Sequence, residues 1–365
     1  MILSQIAGAG TSIWLDDLSR ASLSNHSPQS LSSRIANSGV VGVTTNPAIF
    51  HSAITGSDDY KSAIAQMRGS SVDDVIRKLT TDDVRQACDL FSPIFHKSSG
   101  VDGRVSIEVD PRLAHDTAGT VADGLALWEL VDRPNLMIKV PATDAGLVAI
   151  SELISAGISV NVTLIFSRKR YAQVIDAFMT GLELRKKIGG DTTQIHSVAS
   201  FFVSRIDTSV DAQLKEIGSP EALALLGKSA IANAHLAYQL YENAQLSPRW
   251  QKIAESGAMM QRPLWASTGV KDPAYSDTRY VIELIARNVV NTMPPKTLDA
   301  VIDHGEFAGD TITDNYTHAK ETLHQLAQVG ISLDEVTDFL EEDGINKFIG
   351  SWLALLDDVA KVLAL

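Results

Sequence analysis

A lysine stands near the end of the apolar run Asn-Leu-Met-Ile-Lys-Val-Pro, residues 135–141. The centre of this run is apolar on both alternating faces, which predicts a strand buried on both sides. Lys139 then either reaches water or a carboxylate from the strand end, or is held in a dry pocket. Burial in such a pocket would favour the neutral amine. A neutral amine can attack a ketone, and the resulting Schiff base allows aldol cleavage without a metal.

Polar residues occupy only one of the two alternating faces in several other apolar segments. Because strand side chains alternate, each of these sets shares a face: Ser12, Trp14 and Asp16; Thr44 and Asn46; Arg104, Ser106 and Glu108; Ser159, Asn161 and Thr163. Unpaired polar groups are costly to bury, so these faces should meet one another inside the protein. We therefore expect Asp16, Glu108 and Thr163 to supply proton-transfer groups near Lys139.

The alternation of short apolar segments with helical ones predicts a single (β/α)8 TIM barrel, an α/β fold. Strands are expected at 13–16, 40–44, 104–108, 136–140, 158–163, 195–200, 264–267 and 289–291. Helical spacing is clear between them, for example at Val121, Leu125, Trp128 and Val131. Parallel strands joined by helices follow from this order, and their carboxyl ends should form the site. Antiparallel strands with one face in solvent are the alternative.

The end of the chain differs from the alternating part because helix follows helix. We expect one domain over residues 1–365, with a C-terminal helical extension from about 313 to 365 packed on the barrel. The last helix carries an apolar stripe that includes Phe348, Trp352 and Leu356. A dimer contact is the alternative use of this stripe, so a monomer or a homodimer is expected.

The composition restricts the functional classes. A net charge of −13 is unfavourable for nucleic acid or an anionic membrane, although local arginines and lysines can still bind a phosphorylated small molecule. No apolar stretch is long enough to cross a membrane, and no signal peptide is recognisable, so a cytoplasmic protein is expected. The only cysteine, Cys88, is expected in the core. The nine histidines form no metal-binding pattern, so no metal is expected.

Five segments that occur in order resemble the successive strand motifs of transaldolases. They are Gly-Val-Thr-Thr-Asn-Pro from 42, Ile-Glu-Val-Asp from 107, Met-Ile-Lys from 137, Asn-Val-Thr-Leu-Ile-Phe-Ser from 161 and Ser-Phe-Phe-Val-Ser-Arg from 200. Thr-Thr-Asn-Pro alone is weak evidence, but the ordered set is specific. Trp-Ala-Ser-Thr-Gly-Val-Lys from 265, together with the chain length, resembles the longer bacterial branch of that family.

The resemblance implies a role for each matching residue. Lys139 matches the Schiff-base lysine, and Asp16 matches the acid/base that takes the C4 hydroxyl proton; Asp17 has the opposite parity. Glu108 and Thr163 match the pair that holds a catalytic water. The remaining matches bind substrate: Thr44, Asn46, Asn161, Ser200 and Phe202 around the dihydroxyacetone unit, and Arg205 at the phosphate.

One position departs from the family pattern. Many transaldolases have a second phosphate-binding arginine after the seventh strand, where this sequence has Lys271, with Ser267 as a further possible ligand. Lysine offers a point charge and no planar fork, so looser phosphate geometry is expected.

The implied reaction transfers a dihydroxyacetone unit from sedoheptulose 7-phosphate to glyceraldehyde 3-phosphate, with no cofactor. Two alternatives are a fructose-6-phosphate aldolase, which releases dihydroxyacetone, and a sugar-phosphate-binding barrel with little catalysis.

Overall fold

Eight parallel strands close into a barrel, in which each strand pairs with its neighbours in sequence and β8 pairs with β1. The computed structural model describes residues 2–24 and 27–364. The strands are β1 (Thr11–Asp16), β2 (Gly42–Thr44), β3 (Arg104–Glu108), β4 (Leu136–Pro141), β5 (Val160–Ile165), β6 (Ser197–Phe202), β7 (Arg262–Ala266) and β8 (Val289–Met293). The predicted fold class is confirmed, and the antiparallel alternative is wrong.

Helices connect the strands and continue beyond them. They are α1 (Ile2–Gly8), α2 (Arg20–Leu23), α3 (Leu31–Ser38), α4 (Pro47–Thr55), α5 (Lys61–Gln66), α6 (Val72–Lys97), α7 (Thr117–Val131), α8 (Asp144–Ser155), α9 (Arg168–Lys187), α10 (Ser204–Ile217), α11 (Pro220–Leu223), α12 (Ser229–Gln245), α13 (Pro248–Ala254), α14 (Arg279–Ile282), α15 (Pro295–His304), α16 (Tyr316–Gln328) and α17 (Leu333–Leu363). Short 3-10 turns occur at Asp58–Tyr60 and Pro111–Leu113.

The alternating faces of β4 show how the barrel divides its side chains. A Cβ atom placed on Gly124 of α7 would lie 3.3 Å from Ile138 Cγ2, so Ile138 faces the outer helices. Lys139, the next residue, therefore faces the barrel interior. The tight packing at Gly124 also explains why α7 lies so close to β4 and α8.

The amino-terminal end of the barrel is filled by arginines. Arg104 is buried and donates hydrogen bonds to the Gly100 carbonyl at 2.7 Å and to Ser159 Oγ at 3.2 Å. Arg262 pairs with Asp102 at 3.1 Å and donates to Ser12 Oγ at 2.6 Å. These contacts satisfy buried polar groups at the end opposite the carboxyl ends of the strands.

The last helix, α17, packs against α4, α6 and α10 and reaches β5. It begins at the Ser332 N-cap, whose side chain accepts a hydrogen bond from the Glu335 amide. Phe348 and Leu355 on this helix are buried against the rest of the protein. Over residues 2–24 and 27–364, none of the helices is long and apolar enough to cross a membrane.

Candidate active site

Lys139 lies inside the barrel at the end of β4 and is 4% exposed. Its Nζ is 3.2 Å from Glu108 Oε2 on β3, and it donates a hydrogen bond to the Thr45 carbonyl at 2.9 Å. Register explains the pairing, because Glu108 and Lys139 are direct partners across two neighbouring strands. The structure buries Lys139, as one interpretation expects, and also pairs it with a carboxylate, as the other allows.

Glu108 is buried, and burial raises the pKa of its carboxyl to about 7, although the nearby Lys139 opposes this shift. Apart from that ion pair, neither of its oxygens has a hydrogen-bond partner within the described part of the chain. The Thr163 hydroxyl on β5 is likewise buried without a partner there. Buried polar atoms normally have partners, so these oxygens are available to a water or a substrate hydroxyl.

Asp16 stands at the end of β1 and is held by threonines from two neighbouring strands. Thr44 Oγ1 donates to Asp16 Oδ1 at 2.7 Å, and it also lies 2.8 Å from Thr292 Oγ1 on β8. Since a hydroxyl has one proton, Thr292 must donate to Thr44 when Thr44 donates to Asp16. Burial raises the pKa of Asp16, against the opposing effect of Lys139. Asp17 lines a different cavity.

Asn161 and Ser200 form a polar layer inside the barrel. Ser200 Oγ donates to Asn161 Oδ1 at 2.7 Å, and the Asn161 amide donates to Ser106 Oγ at 2.9 Å. This chain of hydrogen bonds joins β3, β5 and β6, so the polar faces expected for β3 and β5 point inward. Beyond Asn161, β5 shifts register after Val162, and Leu164 adopts a positive φ of 60°.

Arg205 and Lys271 supply positive charge at the edge of the site. Arg205 is the second residue of α10, and its Nη1 is buried without a hydrogen-bond partner among the described residues. Burial lowers the pKa of Arg205, and the nearby Asp343 opposes this effect. Its guanidinium lies 5.5 Å from the centre of the Phe202 ring. Ser267 has a φ of 55°, and its hydroxyl is 3.0 Å from that of Ser204.

A cavity of about 190 Å³ at the carboxyl ends of the strands brings most of these side chains together. Its lining includes Asp16, Thr44, Asn46, Lys139, Thr163, Ser200, Phe202, Arg205, Ser267 and Lys271. Glu108 and Asn161 were expected at the site but do not line this cavity. Each contacts a residue that does: Glu108 pairs with Lys139, and Asn161 accepts a hydrogen bond from Ser200. Asn46 has a second task, because its side chain caps α4 by accepting from the Ile49 amide at 3.0 Å.

Sequence reasoning missed other residues of this cavity, chiefly Thr292, Pro294 and Phe348. A strand ending at 291 left Thr292 out, whereas β8 continues to Met293; alternation over the longer strand would have found it. Phe348 comes from α17 and lies with its ring centre 5.6 Å from Lys139 Nζ. No local pattern indicates which end of the barrel a late helix covers.

Comparisons with known proteins agree with this geometry. A sequence model described as Transaldolase/Fructose-6-phosphate aldolase matches residues 13–359. A transaldolase of Arthrobacter sp. (strain FB24) is 55% identical over 362 residues, which are 99% of this chain and 97% of the relative. A transaldolase of Mycolicibacterium smegmatis is 56% identical over 97% of this chain and 95% of its own length. One from Thermobifida fusca is 53% identical over 99% and 98%.

These matches extend over nearly the whole barrel, including every strand that carries a cavity residue. The resemblance that the five strand motifs indicated is thus confirmed. The chain belongs to the transaldolase/fructose-6-phosphate aldolase family and is an enzyme of the transaldolase class of transferases.

Proposed function

We propose that this enzyme transfers a dihydroxyacetone unit from sedoheptulose 7-phosphate to glyceraldehyde 3-phosphate through a Schiff base on Lys139. The observation that carries the proposal is a buried amine that lines the cavity at the barrel mouth and lies 3.2 Å from the buried carboxylate of Glu108. The products are erythrose 4-phosphate and fructose 6-phosphate, as in the pentose phosphate pathway. That metabolic role would place the enzyme in the cytoplasm.

The reaction begins when the ketose phosphate binds with its phosphate on Arg205 and Lys271. Glu108, with its pKa raised to about 7, is placed to take a proton from Lys139. The neutral amine attacks the C2 carbonyl and forms a carbinolamine. Glu108 then protonates the leaving oxygen through a water shared with Thr163, and the iminium forms as that oxygen departs as water.

Cleavage follows once the iminium is in place. Asp16 removes the C4 hydroxyl proton, and the C3–C4 bonding electrons move into the iminium to give an enamine. The Thr44 and Thr292 hydroxyls hold Asp16 in position for this step. The aldose phosphate leaves, whereas the enamine stays bound to Lys139 and adds to the new aldehyde. Asn46, Asn161, Ser200 and Phe202 surround the retained unit.

Reductive trapping tests this proposal directly. The enzyme is incubated with fructose 6-phosphate and borohydride, digested, and mapped by mass spectrometry. We expect one adduct, on Lys139, and none in Lys139→Met, while Lys347→Met on the exposed surface of α17 should trap like the wild type. An adduct on another lysine, or no adduct at all, would count against the mechanism.

The family description also covers fructose-6-phosphate aldolases, which is the second candidate function. The pairing of Asp16 with a carboxylate and lysine in one buried site supports transfer, and the 53–56% identical relatives are all called transaldolases. Steady release of free dihydroxyacetone from fructose 6-phosphate without an acceptor aldehyde would favour the aldolase instead.

A further inference from the structure

A second, smaller cavity of about 30 Å³ adjoins Glu108 outside the barrel interior. It lies between the end of β3 and helices α4, α6 and α7, and α17 contributes Trp352 to its lining. Asn46 lines both this cavity and the cavity that contains Lys139. Glu108 lines the smaller cavity and pairs with Lys139, which lines the larger one, so the two cavities adjoin at Asn46 and Glu108.

Three residues that line this small cavity, from three separate elements, carry buried polar atoms without a hydrogen-bond partner. Apart from the ion pair of Glu108 Oε2 with Lys139, this holds for both Glu108 oxygens, Arg77 Nη1 and Trp352 Nε1 among residues 2–24 and 27–364. The Glu108 side chain is 3% exposed. The Arg77 and Trp352 nitrogens are hydrogen-bond donors, and the Glu108 carboxylate is an acceptor. One small ligand that both accepts and donates could therefore bond to all three groups. Unpaired buried groups cost free energy, which makes three of them at one cavity notable.

The position of Arg77 is fixed from its other side. Its Nη2 donates to Asp123 Oδ1 at 2.6 Å, and Asp123 Oδ2 accepts from the Asp110 amide at 2.8 Å. Asp110 follows Glu108 by two residues, so this network ties Arg77 to the end of β3. Arg77 Nη2 is therefore occupied by Asp123, whereas Arg77 Nη1 has no hydrogen-bond partner in the described part of the chain.

The size of the cavity selects the ligand. A cavity holds a bound water when about 10–15 Å³ is open to the centre of the water and two to four polar groups can bond to it. A volume of about 30 Å³ therefore holds one or two waters and excludes a sugar or a phosphate. The available partners, a carboxylate and two N–H donors, fall within the range that a buried water uses.

We propose that Glu108, Arg77 and Trp352 hold a buried water in this cavity, and that this water exchanges with the one lost from the Lys139 carbinolamine. The inference rests on the proposed function. When the carbinolamine C–O bond breaks, the nitrogen lone pair forms the C=N bond, and the oxygen takes a proton from Glu108 and leaves as water. The cavity receives that water past Glu108, and Arg77 and Trp352 act as positioning residues.

Oxygen exchange measures this step separately from carbon–carbon cleavage. Fructose 6-phosphate labelled with ¹⁸O at C2 is incubated with enzyme without acceptor, and loss of label is followed by mass spectrometry above the uncatalysed rate. Trp352→Phe removes one N–H donor and keeps the ring; Arg77→Lys keeps a cation for Asp123 and removes the guanidinium fork. Trp128→Phe, a half-buried indole on α7, is the matched control.

We expect both test variants to lose label about three- to tenfold more slowly, the effect of one hydrogen bond, with KM unchanged. Trp128→Phe should exchange like the wild type. Wild-type exchange rates in both folded variants, or a parallel rise in KM and fall in every rate, would overturn the inference. Thermal unfolding identifies a variant that fails to fold, and the other variant then decides. Absence of exchange and of the borohydride adduct in the wild type would instead refute the proposed function.

Discussion

At the scale of single residues, the site depends on carboxylates that are buried next to one amine. Glu108 is 8% exposed and Asp16 is partly buried, and desolvation raises the pKa of both carboxyls. Lys139 opposes this shift for both groups.

Glu108 should make the stability of the protein depend on pH. Its pKa is raised from 4.5 to about 7 in the folded state, so its contribution is complete below about pH 4.5 and is lost as the pH rises through 7. We expect the free energy of unfolding of the wild type to fall relative to that of Glu108→Gln over this interval, by at most about 3 kcal/mol. Urea unfolding at pH 5 and pH 8 measures the difference. A difference that does not change with pH would contradict the assignment.

Thr292 should affect catalysis through Thr44 and Asp16. Thr292→Val keeps the shape but removes the donor that faces Thr44 across 2.8 Å, which frees Thr44 to turn away from Asp16. We expect kcat to fall about five- to tenfold with little change in KM, the effect of one hydrogen bond between neutral hydroxyls. Thr322→Val, at a buried position on α16, is the control and should leave both constants unchanged. A change in KM alone would argue for a role in substrate binding.

At the scale of elements, the turns that follow the strands fix where the reactive side chains stand. The β4–α8 turn is the tightest example. A Cβ atom on Gly146 would lie 2.0 Å from the carbonyl oxygen of Pro141, the last residue of the strand that carries Lys139. Gly146 also donates its amide to the Thr143 cap at 2.9 Å. No side chain fits there without moving the end of β4.

Gly146→Ala should therefore lower both stability and activity. We expect a loss of about 2 kcal/mol or more in the free energy of unfolding, and slower borohydride trapping, because the clash is with backbone. Gly350→Ala on α17 is the matched control, since nothing lies within 4 Å of its added Cβ. There alanine should stabilise the helix by up to about 1 kcal/mol. Equal effects at the two positions would refute the argument.

Side-chain alternation predicted shared polar faces for β1, β2, β3 and β5, because alternation along a strand is a local signal. Lys139, Glu108 and Asp16 meet as expected from strand ends that share one rim. Phe348 and Trp352 could not be assigned to the site, because a helical stripe shows that a face is buried but not what covers it. The capping role of Asn46 was also missed, although Asn before Pro at a helix start is a recognisable signal.

At the scale of the whole molecule, the two ends of the barrel differ in structure: one contains the cavity and the other is filled by side chains. The carboxyl end holds the cavity, whereas the amino end is filled by Arg104 and Arg262, which donate hydrogen bonds to carbonyls and hydroxyls there. Changes at the amino end should act on stability alone.

Arg104→Ala tests this division. It removes a buried side chain that bonds Gly100, Pro134 and Ser159, and we expect a loss of about 3–5 kcal/mol in the free energy of unfolding. The kcat of the fraction that remains folded at low temperature should be unchanged. Arg133→Ala, which breaks an exposed pair with Asp89, should cost less than about 1 kcal/mol. A large drop in kcat for Arg104→Ala would show that the two ends are coupled.

Because Phe348 of α17 lines the cavity, the late position of this helix in the chain has a consequence for how the protein is made. A ribosome completes all eight strands before it reaches Phe348 and Trp352, since both follow β8 in the chain. A barrel that folded before α17 was synthesised would therefore lack the Phe348 ring, whose centre lies 5.6 Å from Lys139 Nζ. Until the last helix is added, such a barrel would leave Lys139 more accessible than its 4% exposure in the finished fold.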